Sequence, residues 1–179
     1  MRRIERDFIY QAGCEACLPL HRAIIADLYT QLDAAKTIKS HFFHGRFENV
    51  YISEEKIRGL QTILSHIKAD AARILQVQVR ELKLGFWFNL MQSGDVTLPH
   101  SHDDDDELLS GTYYLQVPSD SAALLIHHPQ ALTTIEPVEG QYVFFHPAVE
   151  HEVTQHQAQM ARISIGFNIG LDADAAAVD

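Results

Sequence analysis

The hydrophobic pattern changes period partway along the chain. In "CLPLHRAIIADLYTQLDAAKTI", residues 17–38, Leu20, Ile24, Leu28 and Leu32 recur every fourth position, which lines up one face of an α-helix. In "EEKIRGLQTILSHIKADAARIL", residues 54–75, Ile57, Leu60, Leu64, Ile67 and Ala71 form a second such stripe. Ser53 stands where an N-cap belongs, and Glu54 and Glu55 occupy the first turn, where acids suit the helix dipole. Between the two stripes, "HFFHGRFENVYI" reads as an irregular link.

From about residue 80 the period falls to two. "ELKLGFWFNLMQ" alternates and is rich in aromatics, which predicts a strand, and Ser93, Gly94 and Asp95 make a turn after it. "VTLPHSH", "SGTYYLQVP", "AALLIHH", "TTIEPV", "QYVFFHP", "HEVTQH" and "RISIGFNIG" follow, giving seven or eight short strands separated by Gly, Pro and Asp signals. Short strands at this spacing suit a sandwich or barrel, not βαβ units. Helices first and strands afterwards predict a mainly β, α+β fold with helices packed outside a double-sheet jelly roll. One domain spans 1–179: a helical support over 1–79, a β core over 80–170 and a frayed tail over 171–179.

Composition narrows the function classes. A chain of 179 residues, 46% hydrophobic, fits one ordinary soluble domain. Its apolar runs are too short for a bilayer, and "MRRIERDFIY" lacks the apolar core of a signal peptide, so the cytoplasm is the expected location. The net charge of -10 repels a phosphate backbone and argues against nucleic acid as partner. Cys14 and Cys17 in "GCEACL" could form a redox motif or half a zinc site, but no second CxxC completes four thiolates. Their expected role is that of small apolar residues near a helix start.

The chemistry concentrates in "PHSHDDDDEL", residues 99–108. Residues two apart on a strand point the same way, so His100 and His102 share a side, and Asp104 joins them if the strand runs on. His151 in "FFHPAVEHEV" is the candidate partner from elsewhere. Two histidines and a carboxylate with open positions suit non-haem Fe(II). A rival set, His100, His102, Glu107 and His151, would make a cupin-like metal-binding protein without turnover. An acidic run is also commonly just a solvated loop. His127, His128, His146 and His156 belong to no motif and are expected at the surface or with satisfied bonds. Trp87 is expected in the core, with Asn89 on the same strand.

The order of these pieces carries a resemblance. The HxD pair, then "GTYYLQ", "TTIEPVEGQYVFFHPAVEHEV" and "RISIGFN", resembles the iron(II)- and 2-oxoglutarate-dependent dioxygenases, and within them the prolyl-hydroxylase-like branch. The likeness covers about 85–170, half the chain, and leaves the first third unmatched. It implies a double-stranded β-helix with His102, Asp104 and His151 as metal ligands. It implies that Arg162 holds the far carboxylate of 2-oxoglutarate, with Tyr114 and Ser164 adding hydroxyls. The implied cofactors are Fe(II) and 2-oxoglutarate, with ascorbate as reductant in vitro. The implied reaction is hydroxylation of a substrate with release of succinate and carbon dioxide. Two features depart from the family pattern: His100 offers an HxH pairing, and His151 to Arg162 spans a few residues more than in the best-known hydroxylases. The substrate stays open among a small molecule, a peptide and a protein side chain, and a homodimer is the assembly left open beside the monomer.

Overall fold

The protein is described here from a computed structural model that defines residues 2–3, 9–32, 34, 37–43, 46–102 and 106–173. Twelve strands and two α-helices appear among them. β1 (Arg2–Arg3) and β2 (Tyr10–Gly13) precede α1 (His21–Gln31). β3 (Ile38–Phe43) and β4 (Arg46–Tyr51) precede α2 (Leu60–Leu75). The β-rich remainder runs β5 (Leu82–Met91), β6 (Thr97–His100), β7 (Glu107–Gln116), β8 (Leu124–His128), β9 (Ala131–Ile135), β10 (Gln141–Phe145), β11 (His151–Val153) and β12 (Arg162–Leu171).

These eight late strands close a double-stranded β-helix. β10, β7, β12 and β5 form the centre of a large antiparallel sheet ordered β1-β2-β10-β7-β12-β5-β4-β3. β6, β11, β8 and β9 form the small sheet facing it. From β5 to β12 the chain alternates between the sheets except at the β8–β9 hairpin, so residues far apart in sequence meet in the space between them. β12 shows how the pattern works. Ile163, Ile165, Phe167 and Ile169 are fully buried on its helix-facing side. Arg162, Ser164, Gly166 and Asn168 line the cavity on its other side. Period-two alternation thus separates a greasy face from a polar working face.

The helices cover the large sheet. Ile24 and Leu28 of α1, and Leu60, Ile63, Leu64 and Ile67 of α2, join the same core as Tyr113, Leu115, Phe144 and the β12 apolar set. Burying each such aliphatic side chain contributes about 1.5–3 kcal/mol. A smaller core of Leu124, Ile126, Ile135, Val143 and Phe145 fills one end of the space between the sheets.

Two local expectations differ from the structure. Residues expected as an irregular link form the β3–β4 hairpin, which extends the large sheet through a Val50–Phe88 pairing. Ser53 does not cap α2. It precedes a short 3-10 turn over Glu54–Lys56, and α2 begins after Gly59, whose φ of 82° suits glycine. The extended Ile57 breaks the path between turn and helix.

Cys14 and Cys17 are buried as expected, but they are joined as a disulfide across the 3-10 turn Glu15–Leu20. Among the described residues no helix is long and apolar enough to cross a membrane.

Candidate active site

The cavity between the sheets has a volume of about 360 Å³. Its floor is β12, β5 and β7, and one wall is β6 and β11. The small sheet carries the wall of clustered histidines. His100, the last residue of β6, pairs directly with His151, the first residue of β11. His102 follows two residues later, where its backbone N–H donates to the Pro147 carbonyl at 2.8 Å. That bond fixes the chain just beyond β6 and turns the His102 ring toward the other two. Ring centroids lie 4.3 Å apart for His100 and His151, 5.1 Å for His102 and His151, and 5.0 Å for His100 and His102. One donor nitrogen from each lies within 4.8 Å of the others.

Backbone carbonyls orient two of the rings. Nδ1–H of His100 donates to Leu98 at 2.8 Å, and Nδ1–H of His151 donates to Val149 at 3.0 Å. Each bond leaves Nε2 as the free nitrogen, which is how ligating histidines are commonly held. Burial lowers the His102 imidazole to about 4, with His100 and His41 adding repulsion. Burial likewise lowers His151 to about 3, with His100 again opposing protonation. At neutral pH both rings carry free lone pairs, the form a metal takes. With the Nε2 of His100 directed to the same spot, a shared divalent cation would satisfy all three rings.

The other end of the cavity holds a buried cation. Arg162 opens β12 opposite Met91, and only 2% of it is exposed. Its Nη1 donates to Ser164 Oγ at 3.1 Å and meets Met91 Sδ at 3.7 Å. The guanidinium stands over the Tyr114 ring, 5.2 Å from the centroid. Nε of Arg162 and the hydroxyl of Tyr114 are buried without a hydrogen-bond partner. Among the described residues no carboxylate pairs with Arg162. Burial pulls its guanidinium below the ordinary value, which Tyr114 partly resists. Burial pushes the Tyr114 phenol up to about 12, against the pull of Arg162, so it stays a protonated donor. A desolvated cation beside an unused donor is costly unless an anion completes it. A small dicarboxylate fits that role, since one carboxylate can take the guanidinium fork and the phenol together.

Trp87 belongs to this cavity and not, as expected, to the core. It packs on His102 with centroids 5.7 Å apart, and a side chain at Gly166 would run into its indole. Asn89 also lines the cavity, its amide donating to the Glu48 carbonyl at 2.8 Å. Glu107 lines the cavity too, and its Oε1 accepts from Asn168 at 3.2 Å, but it is not among the clustered metal donors. Asp104 lies outside the described residues.

Two of the unassigned histidines are satisfied in the fold. His156 is fully buried and satisfied by Ala122 and Met160, and His127 pairs with Glu152 at 2.9 Å. His21, which the sequence did not single out, is buried against the Tyr113 hydroxyl at 2.8 Å. The β3–β4 hairpin also contributes unanticipated residues to the cavity, among them Glu48, Asn49 and Tyr51.

No protein-family model matches the sequence, and no curated protein does. Solved structures do match. A Pseudomonas putida prolyl-4-hydroxylase superposes with a TM-score of 0.72 at 20% identity, over 94% of this chain and 95% of that one. A Trichoplax adhaerens prolyl hydroxylase, solved with a hypoxia inducible factor oxygen degradation domain peptide, gives 0.71 at 11% identity over 97% and 88%. The epimerase SnoN, solved with Fe3+, alpha ketoglutarate and nogalamycin RO, gives 0.71 at 13% identity over 92% and 79%. The fold is therefore that of 2-oxoglutarate-dependent oxygenases, over nearly the whole chain.

Proposed function

We propose that this chain, which has the fold of those oxygenases, is itself an Fe(II)- and 2-oxoglutarate-dependent dioxygenase. The overall reaction would join 2-oxoglutarate, dioxygen and a substrate C–H bond to give succinate, carbon dioxide and a hydroxylated product. The observation that carries this reading is Arg162: a buried cation with no acidic partner among the described residues, facing the same cavity as a cluster of three imidazoles. One end of the cavity asks for a carboxylate and the other for a divalent metal. A 2-oxo acid with a second carboxylate spans both requirements in one molecule.

Each residue then has a task. Arg162 holds the distal carboxylate, Ser164 steadies the guanidinium, and Tyr114 donates its hydroxyl to the same carboxylate. Exclusion of water by Phe145, Leu124 and Met91 strengthens that pairing. His102 and His151 hold the iron. His100 takes the third ligand position in this reading, because it already pairs with His151 across the sheet. Asp104 is the competing third ligand. When bound, the iron supplies the dioxygen and redox chemistry. Trp87 braces His102 and closes one side of the reaction space.

The substrate class is open to a small molecule, a peptide or a protein side chain. A peptide is bound by one of the solved neighbours, the Trichoplax adhaerens enzyme.

Iron stoichiometry and succinate formation test this together. With Fe(II), ascorbate and oxygen, the wild-type chain should turn 2-oxoglutarate slowly into succinate without added substrate. His100→Ala should lose stoichiometric iron and that turnover, whereas Asp104→Ala should keep both. The reverse result assigns the site to His102, Asp104 and His151. Retention of full iron by both variants removes the site from this wall of the cavity.

A further inference from the structure

The proposed oxygenase site leaves one cluster of metal-ligating side chains unused. Cys14 and Cys17 belong to the core between the helices and the large sheet, and they do not line the cavity. Cys14 follows β2, Cys17 lies in the 3-10 turn, and their Cα atoms are 5.3 Å apart. His66 approaches from α2. One donor atom each from Cys14, Cys17 and His66 lies within 4.8 Å of the other two. The sulfurs are buried, and the histidine is exposed.

We propose that Cys14, Cys17 and His66 form a redox-gated Zn(II) site, in which the disulfide and the zinc-bound dithiolate are alternative states. Zinc takes thiolate at about 2.3 Å and imidazole at about 2.0–2.1 Å in a tetrahedron, which puts neighbouring donors roughly 3.5–4 Å apart. The His66 donor lies within 4.8 Å of both sulfurs, and reduction frees the two sulfurs to separate to that span. A CxxC pair from one segment and a histidine from a separate helix are the usual materials of such sites. The fourth position lies open to water on the His66 side.

The backbone holds this geometry independently of the S–S bond. Cys14 N–H donates to the Gly140 carbonyl at 2.8 Å, and Cys17 N–H donates to the Cys14 carbonyl at 3.0 Å. A side chain at Gly140 would meet Leu18, so the turn is packed tightly against β10's entry. Opening the disulfide therefore keeps both cysteines on the same backbone frame and lets their sulfurs move apart by side-chain rotation. The exchange balances as follows. A dithiol or phosphine reductant gives two electrons, two protons enter, and the disulfide becomes two thiols while the reductant is oxidised. Zinc then binds the two sulfurs as thiolates and releases both protons. A disulfide oxidant such as oxidised glutathione takes the two electrons back and leaves as two thiols, the S–S bond re-forms, and its sulfurs have no thiolate charge to offer, so the metal leaves.

Cobalt(II) tests this on the full chain, because thiolate ligation gives a sulfur-to-cobalt charge-transfer absorption in the near ultraviolet. The histidine-only cluster in the cavity cannot produce that band, so the two sites are distinguished. Chelator-treated protein reduced with a phosphine should develop the band, reach a plateau by two equivalents of cobalt, one for each site, and lose the band when Zn(II) is added. The oxidised protein and Cys17→Ser should show none. His66→Ala should weaken cobalt binding by roughly tenfold or more, since even loss of an outer-shell partner commonly costs that much. Absence of the band in reduced wild-type protein with both thiols titratable would overturn the proposal. So would unchanged cobalt affinity in His66→Ala.

Discussion

Arg162→Met protein is expected to fold, to take up iron and to bind 2-oxoglutarate about 30- to 1000-fold more weakly. The loss corresponds to about 2–4 kcal/mol for a charge-assisted, two-pronged pair made away from water. The same change should not destabilise the cosubstrate-free protein. Arg162 is 2% exposed and has no carboxylate partner among the described residues, so its charge is a net cost until an anion arrives. Replacing it with an apolar side chain of similar length should leave stability unchanged or raise it by about 1–4 kcal/mol. Arg162→Lys should not rescue binding, because a point charge cannot supply the planar fork. Calorimetry with 2-oxoglutarate and thermal unfolding of the metal-free protein read the two effects separately. Destabilisation with unchanged 2-oxoglutarate affinity would make Arg162 a structural residue.

His151→Ala should abolish stoichiometric iron binding and bring succinate formation to background. His151, like His102, belongs to every ligand set, and both of the neighbouring candidate rings stand against it. The loss would come from the missing nitrogen and not from a general loosening of the small sheet. His127→Ala is the control. His127 lies on β8, in the same sheet, and its partly exposed pair with Glu152 contributes about 0–1 kcal/mol. That variant should keep its iron and its turnover. Atomic absorption after anaerobic loading and desalting measures both proteins directly. Equal loss of iron in the two would point to sheet disruption.

The sequence made the β core legible because both faces of each strand have work to do. In "RISIGFNIG" the apolar and polar sets separate cleanly, and Arg162 and Ser164 fall on the cavity side as the alternation requires. The β3–β4 hairpin was not legible because it buries so little. Ile38, Phe42 and Phe47 remain exposed, so burial imposes no clear alternation on that segment. The start of α2 was misplaced because Ser53 with two following acids satisfies the local rule for a cap. The chain instead uses those residues for a separate turn and starts the helix at a glycine with positive φ. Which residues two apart would share the metal depended on where β6 ends. The strand stops at His100, and a tertiary bond from His102 to Pro147 sets the next ring, so spacing alone could not decide. Trp87 reads as core by composition. Its place against His102 follows from Gly166 on the neighbouring strand, a pairing that only the fold reveals.

The central claim, that one cavity takes Fe(II) and 2-oxoglutarate together, is tested most directly by an anaerobic spectroscopic titration. Iron-loaded protein is titrated with 2-oxoglutarate under argon, and the visible charge-transfer absorption of a 2-oxo acid chelating Fe(II) is followed. The account predicts a saturable band at one equivalent per chain that needs iron and is absent in Arg162→Met at the same concentrations. Admitting oxygen should bleach the band and leave succinate. A wild-type protein that binds one iron per chain, yet shows neither the band nor any heat of 2-oxoglutarate binding, would contradict the account and leave a metal-binding protein with an oxygenase fold.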